Sequence, residues 1–96
     1  MGIVNSMNRP LARLSLELPT FSFPPTEDEQ YEALGLIKRM AVREAIPGLL
    51  NLRALVADSI EQCHLAGPDY AMDAEAMRSV LHETERAING EDVSYL

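Results

Sequence analysis

Residues 26 to 89 form a nearly unbroken run of helix-forming sequence, and its first stretch, Glu27 to Ile46, is apolar around most of a helix's circumference. At about 100° per residue, Leu34, Ile37, Ala41 and Ala45 make one stripe, with Ala33, Leu36 and Met40 making a second beside it. Val42 and Ile46 extend the apolar surface, which leaves Glu32, Arg39 and Arg43 as the main polar strip. A helix this apolar needs cover on more than one side, and a chain of 96 residues has few other elements to supply it. Part of that cover is therefore expected to be another molecule. Leu36 and Met40, with Arg39 and Arg43 beside them, form the candidate protein-binding surface, and a homodimer is the expected assembly.

Punctuation divides the run into three helices. Thr26-Glu27-Asp28-Glu29 has the form of a capping box, in which the Thr26 hydroxyl takes the Glu29 N–H and the Glu29 side chain returns to the Thr26 N–H. Pro47 cannot continue a hydrogen-bond ladder, so the first helix is expected to end near Ile46. A second, amphipathic helix follows from 48 to 65, with Leu49, Leu52, Leu55, Val56, Ile60 and Cys63 on one side. Gly67-Pro68-Asp69 is a stop. The third helix, 70 to 89, carries a narrow stripe of Met77, Val80, Leu81, Thr84 and Ile88, and Asn89-Gly90 supplies its C-cap. The expected fold class is all-α, a three-helix hairpin or bundle. Residues 1–10 read as a flexible tail, 11–96 as a single helical domain, and the last six residues as a tail.

Residues 12–18 alternate apolar and polar side chains without a fault, which is the period of a strand. Strands need partners, and this chain offers no second good one. The segment is thus expected to be an extended arm. It pairs with a twofold mate, adds to a partner's sheet edge, or lies against the helices, which makes Leu14, Leu16 and Leu18 further candidate binding residues. One strand followed by two helices resembles the ribbon-helix-helix fold of small dimeric repressors, over residues 12–65 and in topology only. That resemblance implies a DNA-binding dimer whose ribbon turns Arg13, Ser15 and Glu17 outward into the major groove. The Pro19–Pro25 link and the third helix depart from the pattern.

Charge weighs against nucleic acid. Residues 1–53 hold six acids and six bases, whereas residues 54–96 hold nine acids against Arg78 and Arg86 alone. That half repels a phosphate backbone. The single cysteine, Cys63, excludes an internal disulfide framework and fits a reducing, cytoplasmic setting. No apolar run reaches the roughly 18 residues of a membrane span. Met1 to Ser6 fits the short myristoylation pattern, with no polybasic patch behind it.

Catalytic constellations fail on spacing. His82-Glu83 opens like a zinc-protease motif, but Arg86 stands where the second histidine must sit. Cys63 and His64 point about 100° apart on a helix and cannot serve each other as nucleophile and base. Gly35 and Gly48 are isolated, so no glycine-rich phosphate loop exists. The expectation is a non-catalytic protein without metal or cofactor: a small acidic regulator or adaptor that masks a surface of a larger protein, such as a transcription factor. A ribbon-type repressor is the alternative.

Overall fold

The computed structural model describes residues 16–96, which among themselves form three α-helices and no strand. Helix α1 spans Glu27–Val42, α2 spans Ile46–Ala66 and α3 spans Ala71–Ile88, with one 3₁₀ turn at Pro68–Tyr70 between the last two. Helices α2 and α3 form an antiparallel hairpin, and α1 packs across it mainly on α3. The core is aliphatic and rich in sulfur. It is built from Ala33, Leu36, Ile37 and Met40 of α1, Leu49, Leu52 and Val56 of α2, and Met77, Val80 and Ala87 of α3.

The capping box forms as the sequence predicts: Glu29 N–H donates to Thr26 Oγ1 at 3.1 Å, and Thr26 N–H donates to Glu29 Oε1 at 2.8 Å. Glu29 does more than cap. It also accepts from the Ser22 N–H and from Ser22 Oγ at 2.7 Å, which ties the proline-rich lead-in to the first turn. Partial burial alone would raise the Glu29 carboxyl. The hydrogen bonds from Ser22 and Thr26 outweigh it and hold the group below the usual glutamate range.

At the other end α1 stops at Val42, four residues earlier than Pro47 suggests. The chain closes in a Schellman motif, with Ala45 N–H on the Met40 carbonyl at 2.9 Å and Glu44 N–H on the Ala41 carbonyl at 3.1 Å. Glu44 takes the left-handed position, φ 53°, where glycine is usual. Pro47 therefore breaks nothing. It sits in the first turn of α2, where its missing N–H has no partner to lose. Gly48 lies against the Met40 side chain: a Cβ built there would be 3.0 Å from Met40 Cε, so a larger residue would displace that thioether.

The second corner follows the expected punctuation. Gly67 has φ 116°, outside the range that L side chains adopt easily, and the 3₁₀ turn leads directly into α3. Tyr70 in that turn packs against Phe23 of the lead-in, ring centroids 4.9 Å apart and planes tilted by 43°. Helix α3 buries Met77, Val80 and Thr84, as its stripe predicts, and adds Ala74 and Ala87. The Thr84 hydroxyl returns to the Val80 carbonyl at 2.7 Å, so a buried polar group is satisfied within its own helix. A second Schellman motif ends α3, this time with Gly90 in the left-handed position, φ 78°.

The last six residues are not a loose tail: Val93 is buried, Leu96 packs against the core, and Tyr95 donates its hydroxyl to Glu83. Arg86 holds this return, 3.2 Å from Glu91 Oε1 and 5.8 Å from the Tyr95 ring centre. The signal is weak in sequence because one Val and one Leu supply the apolar anchor. Of the predicted arm, residues 12–15 and hence Leu14 lie outside the described residues. Leu16 is half-buried against the core and Leu18 is 37% exposed, neither of them in a strand.

Candidate functional site

Leu36 and Met40 are buried to 3% and 1% exposure within the chain's own core, so the expected partner-facing stripe on α1 is corrected. The reason is geometric. The core of α1 runs through Ala33, Leu36, Ile37 and Met40, which puts both predicted stripes partly inward and leaves Leu34 and Ala41 half-buried at one edge. Ending α1 at Val42 also assigns Ala45 and Ile46 to the next element, which removes much of the apparent apolar excess. Arg39 is half-buried beside Gly35, and its Nε has no hydrogen-bond partner among the described residues. Arg43 is exposed at the helix end.

The open surface lies elsewhere, along the seam of α1 and α3. Pro25, Glu27, Tyr31 and Leu34 face Asp73, Ala76, Ser79 and Val80 across a cleft of about 480 Å³. A second cleft of about 490 Å³ runs on past Leu34 and Ser79 to His82, Glu83 and Leu96. Because the two share Leu34 and Ser79, they form one groove. From Asp73 to Glu83 it follows about 15 Å of helix axis at 1.5 Å per residue. Tyr31 is 64% exposed within it, and Met72, one turn before Ala76 on α3, is 86% exposed. Four carboxylates line it, Glu27, Asp73, Glu75 and Glu83, against the single guanidinium of Arg78. None of these lining residues belongs to the surface predicted from sequence. Tyr31 was legible only as a large apolar-bodied side chain at i−3 from Leu34, a weak signal.

A separate cleft of about 330 Å³ opens where α2 meets α3, with Cys63, His64, Tyr70, Ala74 and Arg78 on its walls. Arg78 spans its mouth, with Nη1 2.8 Å from Glu75 Oε2 and Nη2 2.6 Å from His64 Nε2. A guanidinium has donors only, so Arg78 is the donor in this contact. Cys63 is buried at 1% exposure. Burial, and then the Asp73 carboxylate, push its thiol up, away from the thiolate that nucleophilic chemistry requires. The cluster is an interhelical tie: it joins the C-terminal turn of α2 to the second turn of α3.

No group of three His, Cys, Asp or Glu side chains among the described residues is placed to hold a metal ion. No helix among them is long and apolar enough to cross a membrane. Compared with protein-family models, with curated proteins and with solved structures, the chain has no match.

Proposed function

We propose that this chain is a non-catalytic regulatory or adaptor protein that works by protein–protein contact, with the α1–α3 groove as its contact surface. The observation that carries the reading is a concave seam between α1 and α3 with solvent-exposed Tyr31 on its wall, on a helical scaffold stiffened by a capping box and two Schellman closures. Exposed aromatic side chains on a rigid concavity are what protein contacts use as anchors. Masking a surface of a larger protein, such as a transcription factor, is the form of regulation such a contact surface would exert.

Site-specific photo-crosslinking in the source cells tests the reading. A benzophenone side chain at Tyr31 should give a discrete protein adduct, and the same group at exposed Leu65 should not. No adduct at Tyr31, or equal labelling at both positions, overturns it.

Self-association is a companion proposal on a different surface. With Leu36 and Met40 internal, the exposed apolar side chains Val42, Ile46 and Leu50 cluster at the α1–α2 corner and offer a surface to a second copy. Light scattering at micromolar concentration decides this: a mass at the 10.6 kDa of one chain excludes a homodimer there.

A further inference from the structure

We infer that the α1–α3 groove takes a basic amphipathic helix of about three turns, supplied by a protein partner. This rests on the reading of the chain as a protein-binding module, and adds the chemistry of what is bound.

Length and shape come first. About 15 Å of groove matches close to three turns of helix, and its α3 wall carries the small side chains of Ala76 and Ser79, which let a helix backbone come near. Leu34 at the shared waist, Tyr31 on one wall and Leu96 at the far end offer apolar contacts spaced along that length. Such spacing suits a ligand with anchors at i, i+3 or i+4, and i+7. An added strand does not fit, because the described residues present no sheet edge to pair with.

Charge sets the sign of the ligand. Glu75 takes up the charge of Arg78, the one cation lining the groove, at 2.8 Å, and Glu83 is paired with Arg86 at 3.7 Å, which leaves Glu27 and Asp73 as the carboxylates open to a ligand. Glu27 and Asp73 both line the Pro25 end, and Asp28 adds a further acid to the first turn of α1, whereas the Glu29 carboxylate is taken up by Ser22 and Thr26. A phosphate backbone or an anionic membrane surface meets net repulsion here, whereas lysines or arginines flanking an apolar stripe meet carboxylates on both walls.

The test uses the full chain and a fluorescent synthetic peptide of leucine and lysine, with leucines at i, i+3, i+4 and i+7. Two control peptides replace every lysine with glutamate or every leucine with serine. Anisotropy should show binding of the leucine–lysine peptide alone, weakening as salt is raised. Amide shift changes in NMR spectra should centre on Tyr31, Leu34, Ala76 and Ser79. Ala76→Arg, which places bulk and positive charge in the groove, should weaken binding by about tenfold or more. Tyr31→Ala, on the exposed side of α1, is the second variant should Ala76→Arg fail to fold. Asp73→Asn should weaken binding a few-fold and flatten the salt dependence.

Equal binding of the serine–lysine peptide would reduce the groove to unspecific charge attraction and overturn the inference. So would shift changes centred on the His64–Arg78 cleft or on the Ile46–Leu50 corner. If Tyr31 crosslinks a partner in cells while the leucine–lysine peptide does not bind, the occupant has been misassigned and the protein-binding reading stands. If neither occurs, both fall.

Discussion

The inner and outer faces of α1 meet opposite fates. Ala33, Leu36, Ile37 and Met40 are buried to 3% exposure or less, while Tyr31 and Val42 on the other side are 64% and 76% exposed. Tyr31 and Val42 are apolar-bodied like the buried four, but they stand among the charged side chains of Glu27, Asp28, Glu32 and Lys38 on the exposed side. The difference is made by α3, which covers the inner face with Met77 and Val80 and meets the outer one only at the edge, along Leu34. An apolar helix surface thus says that cover is needed, not which side is left without it.

The largest effects should come from the inner face. Leu36→Glu would bury an unpaired carboxylate among aliphatic side chains, a cost of several kcal/mol that a domain of this size cannot absorb. We expect loss of the cooperative melt by circular dichroism. Ile37→Ala, at a position with no exposure, should cost about 2–5 kcal/mol, read as a lowered denaturation midpoint at unchanged slope. If Leu36→Glu stays folded, the core assignment of this face fails.

Next in size is the start of the helix that carries both faces. Thr26→Ala removes the hydroxyl that accepts the Glu29 N–H and should cost about 1 kcal/mol. The paired carboxylate predicts a direction with pH as well. Its hydrogen bonds hold the folded-state pKa below the unfolded one, so the stabilisation is complete above the unfolded value and is lost as pH falls through the folded one. Wild-type stability should therefore decline on acidification below the usual glutamate range. Glu29→Gln should lose that part of the decline, and denaturation curves at stepped pH check it.

These positions also show what was legible in the sequence. The capping box, the Gly67-Pro68 stop and the α3 stripe were readable because each depends on residues close in the chain, where side-chain chemistry and spacing settle the geometry. The partner-facing role given to Leu36 and Met40 failed because burial depends on where α3 lies, and periodicity carries no such information. The α1 terminus was misread for a local reason: Pro47 is a strong signal for a break, and Glu44 is a poor one for a left-handed C′ residue. The packing of Val93 and Leu96 went unseen because two apolar residues in a polar tail make no period. The groove was illegible for the same reason as the core, since it exists only between two helices.

A smaller effect sharpens where α1 ends. Glu44 and Gly90 occupy equivalent positions in the two Schellman motifs, at φ 53° and 78°, and only glycine is free of the Cβ penalty there. Glu44→Gly should raise stability by about 0.5–1 kcal/mol in chemical denaturation, after allowing for glycine's greater freedom in the unfolded chain. Gly90→Ala should do the reverse. Destabilisation by Glu44→Gly would mean that the carboxylate contributes more than the backbone strain removes.

The smallest expected effect on stability belongs to the outer face, and it makes the comparison testable as a whole. Tyr31 is two-thirds exposed, so Tyr31→Ser gives up little burial and should change folding free energy by no more than about 0.5 kcal/mol. Ile37, six positions along the same helix, should differ from it severalfold under identical conditions. If the groove is the contact surface, the ranking inverts for binding: Tyr31→Ser should release the leucine–lysine peptide while its melting curve overlays that of wild type. A Tyr31→Ser protein that melts well below wild type would show that this side chain supports the fold. The two faces of α1 would then differ only in degree, and the groove would be a by-product of packing rather than a surface kept open for a partner.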